Sequence, residues 1–277
     1  MLKKKKWLKL SLLSLLAVIL LAGCGGGNDN DKAEEGGGKG KGKEEDVLAQ
    51  VKEKDKIVFG VKNDTRLFGL KNPSTGEVEG FDIDIAKALA AEILGDENKV
   101  EFKEVTSKTR MALLNNGDID AIVATMTITE DRKKEVDFTD VYFDAGQSLL
   151  VKKGSDIKGI DSLKGKKVLA VKGSTSSINI REKAPEAQVL EFENYSEAFA
   201  ALKSGQGDAL TTDDSILYGM ADEDPSYELV GGTFTEEPYG IAVKKGNSEF
   251  VEELNKALKS LKESGKYDEI HDKWIKH

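Results

Sequence analysis

The stretch N-N-G-D-I-D-A-I at residues 115–122 is echoed by K-S-G-Q-G-D-A-L at residues 203–210. In both stretches a predicted helix ends at a glycine turn, and an aspartate then precedes a short apolar run that is typical of a buried strand. The same order of elements in two parts of one chain indicates two α/β units of similar layout.

Strand and helix signals alternate outward from this repeat. Apolar and β-branched runs predict strands at 57–61, 100–105, 121–124, 168–171, 189–192 and 209–212. Helical spacing predicts helices at 81–94 and 110–115, near 176, 196 and 215, and over 248–276 with a break at Gly265. This alternation predicts an α/β fold built from two Rossmann-like units.

The first 23 residues combine a lysine-rich start with an apolar segment and small residues, which is the pattern of a secretory signal peptide. Its uncharged part, residues 10–23, has 14 residues, fewer than the roughly 20 that a membrane-spanning helix needs. The residues Leu21-Ala22-Gly23-Cys24 resemble the bacterial lipobox, which implies lipid attachment at Cys24 and cleavage before it. The alternative is an ordinary secretory signal followed by an incidental cysteine.

The segment after Cys24 is dominated by glycine, lysine and acidic residues, with one apolar residue among the 22 at 25–46. This composition buries too little apolar surface to offset the entropy of ordering the chain. We therefore expect a lipoprotein signal peptide at 1–23 and a flexible tether at 24–54. Because Cys24 is the only cysteine, no disulfide forms within the chain.

Composition excludes several classes of function. Without the five lysines of residues 1–23, the chain has 36 basic and 50 acidic residues, and this net charge of −14 argues against a nucleic-acid partner. The two histidines lie in the last seven residues, so zinc sites of His and Cys and His-dependent nucleophilic catalysis are nearly excluded. No phosphate-binding P-loop motif is present. We expect no cofactor, no metal site and no catalytic residues.

The predicted strand 121–124 is followed by the polar segment Thr125 to Arg132. Ligands of open α/β sheets bind beyond the carboxyl ends of the strands. An arginine shortly after hydroxyl groups suits a carboxylate, to which it donates two parallel hydrogen bonds. The alternative is a helix N-terminus capped by Thr129, with Glu130 and Asp131 placed favourably in the helix dipole.

Two strand ends in the second unit are also polar. Lys172 to Ser177 follow one strand, where backbone N–H groups at a helix start suit an anion, although a polar turn with a serine cap is the favoured interpretation. Thr211 to Asp214 follow another, where Asp213 either binds an ammonium group or caps the next helix. A cation on one unit and an anion on the other suit a zwitterion, whose binding favours closure of the two units.

Five segments resemble the polar amino-acid binding proteins of bacterial ABC importers. They are GVKNDT (60–65), GEVEGFDIDIA (76–86), ATMTITEDRKKEVDFT (124–139), EPYGIAVKKG (237–246) and YDEIHDKW (267–274), and the resemblance runs from about residue 57 to 274. It implies two Rossmann-like lobes joined by a two-strand hinge, the type II periplasmic-binding-protein fold. Lobe 1 is then 55–143 and 240–277, lobe 2 is 148–235, and the hinge lies near 144–147 and 236–239.

The resemblance also implies the residues of the ligand site. Arg132 and Thr127 hold the α-carboxylate of an amino acid, Asp213 binds its α-ammonium group, and Thr175 and its neighbours add hydrogen-bond donors from lobe 2. The full set of expected ligand-binding residues is Asp64, Phe68, Arg110, Thr125, Met126, Thr127, Arg132, Lys172, Ser174, Thr175, Asp213 and Tyr239.

The segment V-T-S-K-T-R at 105–110 bears on the ligand side chain. Glutamate- and aspartate-binding relatives carry a similar Lys-x-Arg, whose arginine meets the side-chain carboxylate. A charge-assisted hydrogen bond is about twice as strong as a neutral one, so Arg110 in the pocket favours glutamate or aspartate. A glutamine-binding protein is the alternative, because arginine also donates to an amide oxygen. A surface position for Arg110 is the other interpretation.

The resemblance implies a monomeric, lipid-anchored, extracytoplasmic receptor that binds glutamate or aspartate between its lobes and delivers it to the permease subunits of an ABC transporter. Tethering at the membrane makes this delivery local. Such a protein is not an enzyme. Two further classes stay open: a dehydratase-type enzyme on the same scaffold, which needs a proton donor aimed at the leaving group, and a sensor or adhesin that uses the same pocket.

Overall fold

The computed structural model describes residues 46–276, so the predictions for the signal peptide, for Cys24 and for the tether up to residue 45 lie outside it. No helix among the described residues is long and apolar enough to cross a membrane.

The helices are α1 (Val47–Lys54), α2 (Phe81–Leu94), α3 (Arg110–Asn115), α4 (Glu130–Glu135), α5 (Thr175–Lys183), α6 (Tyr195–Lys203), α7 (Asp214–Glu223), α8 (Ser248–Glu263) and α9 (Lys266–Trp274), with a 3-10 turn at Ile160–Ser162. The strands are β1 (Ile57–Val61), β2 (Asp64–Thr65), β3 (Gly69–Lys71), β4 (Val78–Glu79), β5 (Val100–Glu104), β6 (Ala121–Ile122), β7 (Val136–Phe138), β8 (Phe143–Ala145), β9 (Gln147–Lys152), β10 (Lys167–Val171), β11 (Gln188–Phe192), β12 (Ala209–Asp213), β13 (Tyr227–Val230), β14 (Glu237–Tyr239) and β15 (Ala242–Lys244).

The repeated stretch forms the same structure twice. After α3 and after α6 a glycine in the left-handed region turns the chain, Gly117 at φ 76° and Gly205 at φ 78°. The aspartate that follows accepts a backbone N–H from the start of the neighbouring strand: Asp120 from β1 at 2.8 Å and Asp208 from β10 at 2.7 Å. These two aspartates therefore join consecutive βα units in the same way in each half.

The first sheet, which belongs to lobe 1, has the strand order β5-β1-β6-β15-β7. Strand β1 runs parallel to β5 and β6, whereas β15 runs antiparallel to β6 and β7. Because β15 comes from the carboxyl-terminal part of the chain, the sheet is completed by a segment that follows the whole of the second sheet.

The second sheet, which belongs to lobe 2, has the order β11-β10-β12-β9-β13. Strand β10 runs parallel to β11 and β12, and β9 runs antiparallel to β12 and β13. Each sheet therefore has three parallel strands, then one antiparallel strand, and a fifth strand that again runs parallel to the first three. The predicted α/β class with two lobes is confirmed.

Two short strands connect the sheets. Strand β8 leads out of the first sheet, β14 leads back, and the two pair antiparallel with Glu237 opposite Ala145 and Tyr239 opposite Phe143. They overlap the predicted crossings at 144–147 and 236–239. Rotation of the lobes about these strands stays a prediction.

Helix α1 corrects the predicted extent of the tether. Asp46 caps the helix by accepting the N–H of Ala49 at 2.9 Å, and Val47 and Val51, four residues apart, are buried. The N–H of Val47 also donates to Asn247 at 3.0 Å. A flexible chain over 47–54 is therefore wrong, because these residues form a helix that packs on lobe 1.

Helix α2 shows how the core of lobe 1 is built. It spans Phe81–Leu94 as predicted, and Phe81, Ile85 and Leu89 on its apolar face are fully buried. Burial of each such side chain contributes about 1.5–3 kcal/mol. The predicted break at Gly265 is also present, since this glycine adopts φ 78° between α8 and α9.

Candidate ligand-binding site

Some of the expected site residues from the two lobes lie around Tyr239 on β14. The backbone of Tyr239 forms a bridge with Thr127 of lobe 1, and its hydroxyl donates to Oδ2 of Asp213 of lobe 2 at 2.5 Å. The charges of Arg132 and Asp213 shift each other's pKa. The predicted cation of lobe 1 and the predicted anion of lobe 2 therefore belong to one polar cluster.

Arg132 reaches across this cluster from the first turn of α4. Thr129 caps the helix by accepting the N–H of Arg132 at 3.2 Å, so the capping interpretation of this segment is also correct. The guanidinium donates from Nη1 to the carbonyl of Thr127 at 2.7 Å and from Nη2 to the carbonyl of Gly173, in lobe 2, at 3.2 Å. Burial lowers the pKa of Arg132, while the charges of Asp213 and Glu237 oppose this shift.

Asp213 is the buried anion at the end of β12. It occupies the residue before α7, yet its side chain makes no capping hydrogen bond; Asp214 instead accepts from the N–H of Ser215 at 2.7 Å. Within the described chain, Oδ1 of Asp213 is buried without a hydrogen-bond partner. Burial raises the pKa of Asp213 to about 7, helped by the charge of Glu237 and opposed by Tyr239 and Arg132. A bound ammonium group stabilises the ionised form.

The hydroxyl of Ser174, at the start of α5, is used within its own turn. Ser174 caps the helix by accepting the N–H of Ser177 at 3.2 Å, and its hydroxyl donates to the carbonyl of Val171 at 2.6 Å. The favoured interpretation as a serine cap is therefore correct. Backbone N–H groups in the first turn keep the anion-binding character of a helix start.

The hydroxyl of Thr175 is used in a network with the segments that connect the lobes. Its hydroxyl donates to Oε2 of Glu237 at 2.7 Å and accepts from Nε2 of Gln147 at 3.0 Å. A hydroxyl has one proton to donate, so the expected side-chain donor is already in use. Thr175 can serve a carboxylate through its backbone N–H, or through its side chain if Glu237 releases the bond.

The loop after β6 presents Thr125 and Thr127 but not Met126. Met126 is fully buried in the apolar core of lobe 1. Thr127 Oγ1 lies 3.5 Å from Thr175 Oγ1 of lobe 2. Thr125 adopts the left-handed conformation with φ 45°, and its buried Oγ1 has no hydrogen-bond partner among the described residues. Such an atom suits a ligand polar group.

Arg110 is buried, so the surface interpretation of this residue is wrong. Its Nη1 donates to the carbonyls of Ala124 at 2.6 Å and Thr125 at 3.3 Å, while Nε has no partner in the described structure. Burial lowers the pKa of Arg110 to about 9, with a further contribution from Arg132. Arg110 therefore supports the loop after β6 and also carries charge next to the cluster.

Three other expected residues have different surroundings. Asp64 bridges the lobes, since its Oδ2 accepts the N–H of Tyr195 at 2.6 Å. Phe68 packs edge-to-face against Tyr239 at a centroid distance of 6.0 Å and is fully buried. Lys172 forms an ion pair with Glu193, which is exposed and also bonds to Lys108 of lobe 1 at 3.4 Å. The side chains of Phe68 and Lys172 are thus not brought into the cluster.

Sequence reasoning missed Lys62 and Glu237. The ammonium of Lys62 is buried, donates to Ser107 Oγ at 2.8 Å and lies 4.7 Å from the ring centroid of Tyr195 in lobe 2. Burial lowers the pKa of Lys62 to about 7, against the opposing charge of Asp64. Lys62 directly follows β1, so the strand-end rule that selected Thr125 also applies to it. Glu237 gave no comparable local signal.

The cluster combines both signs of charge. Among the described residues no group of His, Cys, Asp and Glu has an arrangement that would hold a metal ion. Cationic and anionic groups that face each other across two lobes are suited to bind a small dipolar molecule through charge-assisted hydrogen bonds.

Comparison with known proteins gives a consistent result. Residues 57–277 match the bacterial extracellular solute-binding proteins, family 3. The chain is 70% identical over 273 residues to the ABC transporter glutamine-binding protein GlnH of Bacillus subtilis (strain 168), covering 98% of each chain. It is 58% identical over 252 residues to a glutamine-binding protein of Geobacillus stearothermophilus, covering 90% of this chain and 96% of that protein.

A solved structure gives the same fold. An ancestral arginine-binding protein bound to glutamine matches with a TM-score of 0.76 and 47% sequence identity, over 80% of this chain and 98% of the other. The similarity therefore extends over nearly the whole of the matched protein.

Proposed function

The chain belongs to family 3 of the bacterial extracellular solute-binding proteins, and from this premise we propose that it binds glutamine between its lobes and delivers it to an ABC transporter. It is a solute-binding protein and not an enzyme. The observation that carries the choice of ligand is the similarity to two glutamine-binding proteins at 70% and 58% identity. The expected preference for glutamate has no comparable support.

The charges near the cluster also favour a neutral side chain. Arg132 and Asp213 supply one cation and one anion, which match the two charges of the amino-acid backbone group, and Glu237 adds a further negative charge beside them. Lys62 and Arg110 are balanced by Asp64 and Asp82, whose charges act on the pKa of Lys62. A second carboxylate on the ligand leaves an uncompensated buried charge, whereas an amide adds none.

Within this proposal, Arg132 binds the α-carboxylate and Asp213 binds the α-ammonium. The guanidinium already donates to two carbonyl oxygens on opposite lobes. The unpartnered Oδ1 of Asp213 accepts from the ammonium group. The side-chain amide then lies towards Lys62 and Arg110, which carry the remaining buried donors.

Calorimetric titration tests the ligand. The full-length protein is purified in detergent, freed of bound amino acid by unfolding and refolding, and titrated with glutamine, glutamate, aspartate and arginine. We expect glutamine to bind at least tenfold more tightly than the others. Tighter binding of glutamate would overturn the choice of glutamine and restore the acidic ligand.

We also propose that the protein is held at the membrane by a lipid on Cys24 and acts as a monomer. The support for the anchor is the segment Leu21-Ala22-Gly23-Cys24 after an apolar stretch. We expect Cys24→Ala to release the protein into the medium or to leave an unprocessed precursor. Metabolic labelling with a radioactive fatty acid measures the modification, and labelling of the variant would contradict the assignment.

A further inference from the structure

Asp82, in the first turn of α2, is a fully buried carboxylate in lobe 1. Its Oδ2 accepts the backbone N–H of Thr125 at 3.0 Å, and its Oδ1 accepts the hydroxyl of Tyr142 at 2.8 Å. Thr125 lies in the loop after β6, and Tyr142 directly precedes the connecting strand β8. One buried carboxylate thus joins a ligand-site loop to the crossing between the lobes.

The backbone that Asp82 holds is unusual. Thr125 has φ 45°, in the left-handed region that β-branched residues avoid. Asp82 accepts its N–H, and Arg110 Nη1 donates to its carbonyl at 3.3 Å, so the peptide groups on both sides of Thr125 are held. The result is a buried threonine Oγ1 without a partner among the described residues. Strained backbone of this kind persists where the surrounding structure enforces it, and it clusters at binding sites.

The buried charge of Asp82 must also be compensated by neighbouring groups. Burial raises the pKa of Asp82 to about 7, whereas the hydrogen bonds from Tyr142 and Thr125 and the charges of Lys62 and Arg110 act in the opposite direction. A buried carboxylate destabilises a fold unless such partners compensate it. Its place next to the site is accounted for if its hydrogen bonds have a role in binding.

A second aspartate on the same helix has a different position. Asp84, two residues later, accepts hydrogen bonds from Trp274 Nε1 and Lys273 Nζ, each at 2.7 Å. These bonds hold α9 against α2. Residues two apart on a helix do not share a face. The motif G-F-D-I-D at 80–84 therefore supplies one carboxylate to the ligand-site loop and one to the packing of α9.

We propose that Asp82 is a positioning residue of the ligand site. It holds Thr125 in the left-handed conformation, so that the hydroxyl of this threonine meets the amino acid, and it anchors this geometry to Tyr142 beside β8. The proposal rests on the proposed function for the identity of the ligand.

Calorimetry on a mutant cycle tests this role. Asp82→Asn keeps the size of the side chain and removes its charge, and Asp84→Asn is the matched control. Each is made in the natural chain and in a Thr125→Gly background. We expect Asp82→Asn to raise the Kd for glutamine about tenfold or more in the natural chain, because a charge-assisted hydrogen bond is lost.

In the glycine background we expect the same change to raise Kd less than about threefold, since glycine adopts the left-handed conformation without steric cost. Asp84→Asn should change Kd less than about twofold in both backgrounds, because its partners lie outside the site. An equal effect of Asp82→Asn in both backgrounds, or an unchanged Kd in the natural chain, would overturn the proposal.

A ligand-free measurement separates this inference from the choice of ligand. The amide proton of Thr125, observed by NMR, is deshielded by a carboxylate acceptor and should move upfield in Asp82→Asn but not in Asp84→Asn. If the natural protein does not bind glutamine, the proposed function fails while this signal still tests Asp82. An unmoved Thr125 amide would contradict the positioning role.

Tyr142→Phe tests the same contact if Asp82→Asn does not fold. It removes only the hydroxyl that donates to Asp82, and we expect a rise in Kd of about threefold or more. Tyr267→Phe is its control, because the Tyr267 hydroxyl donates to the carbonyl of Tyr142 at 2.6 Å and does not bond to Asp82. Equal effects of the two variants would count against Asp82.

Discussion

Lobes 1 and 2 share a sheet pattern but hold their polar groups in different ways. In lobe 1 the loop after β6 is held by buried charges, Asp82 on an N–H and Arg110 on two carbonyls. In lobe 2 the start of α5 is held through the hydroxyl of Thr175, which accepts from the amide of Gln147 and donates to the carboxylate of Glu237 on the connecting strand. The shared sheet topology of the two lobes therefore brings their strand ends to one site, whereas the side chains at these ends decide the chemistry of the site.

The difference also concerns how each lobe reaches the other. The cation Arg132 extends from lobe 1 and donates to one carbonyl of each lobe. Lobe 2 contributes the anion Asp213, which is bonded to Tyr239 and has one oxygen without a partner among residues 46–276. We expect loss of the lobe 1 cation to weaken binding more than loss of the lobe 2 anion.

The largest expected effect is that of Arg132→Ala. It removes a guanidinium that can donate two charge-assisted hydrogen bonds to a carboxylate, so Kd should rise about 100-fold or more for every amino acid. Calorimetry measures the change. Arg181→Ala is the control, since Arg181 pairs with Glu191 at 3.0 Å outside the site. Normal binding by Arg132→Ala would break the comparison between the lobes.

Asp213→Asn should have the next largest effect. The amide still accepts one hydrogen bond from the ligand ammonium but no longer supplies charge, so Kd should rise about tenfold to 100-fold. Asp156→Asn, on an exposed side chain paired with Lys166 at 2.7 Å, serves as the control. A loss greater than that of Arg132→Ala would show that lobe 2 carries the larger share of the binding energy.

The pH dependence sharpens the role of Asp213. Because burial raises its pKa to about 7, the ligand-free protein must release a proton to bind an ammonium below pH 7. Kd should then rise as pH falls, up to about tenfold per unit. Calorimetric titrations of the natural protein and of Asp213→Asn at several pH values test this. Asp82 and Lys62 titrate in both proteins, so the difference between the two profiles gives the contribution of Asp213. An equally steep profile for the variant would contradict this assignment.

The same raised pKa predicts a cost in stability. Between about pH 4 and 7 the folded protein holds a proton on Asp213 that the unfolded chain has lost, so this group's contribution to stability falls as pH rises. At pH 8 the ligand-free Asp213→Asn protein should therefore melt roughly 2–4 °C higher than the natural protein, while binding glutamine more weakly. Differential scanning calorimetry gives both melting temperatures.

Glu193→Gln should have the smallest effect. Glu193 of lobe 2 pairs with Lys108 of lobe 1 across the rim and with Lys172 of its own lobe. Exposed ion pairs contribute little and are screened by salt. We expect Kd to rise less than about fivefold at low salt and to equal that of the natural protein at about 1 M salt, where the screening length is about 3 Å. A large, salt-independent loss would show that the rim belongs to the site.

Local patterns predicted most of the fold. Helix α2 and the break at Gly265 follow from apolar spacing and from a glycine in the left-handed region. Helix α1 was missed because the glycine-rich segment before it dominates the composition, although Asp46, Val47 and Val51 carry a cap and an i, i+4 apolar pair. A shorter window over these residues would have found it.

The site was predicted less completely. Strand-end position pointed to Thr125, Arg132 and Asp213. Arg132 and Asp213 act on each other's pKa, and both act on Arg110, which donates to the carbonyl of Thr125. Thr175 and Ser174 were assigned as donors, but their hydroxyls donate to Glu237 of the connecting strand and to the carbonyl of Val171. A hydroxyl's availability depends on partners such as Glu237, which is 62 residues away in the chain.

The amino-acid sequence by itself determined the alternation of strands and helices, the two similar units and the family, because periodicity and motifs are local properties of the chain. Only the tertiary structure decided which charged groups are buried and what they hold. The contact of Asp64 with Tyr195 spans 131 residues, and that of Asp82 with Tyr142 spans 60. Desolvation and hydrogen bonding depend on neighbours in space, so the chemistry of the site was decided when the chain folded.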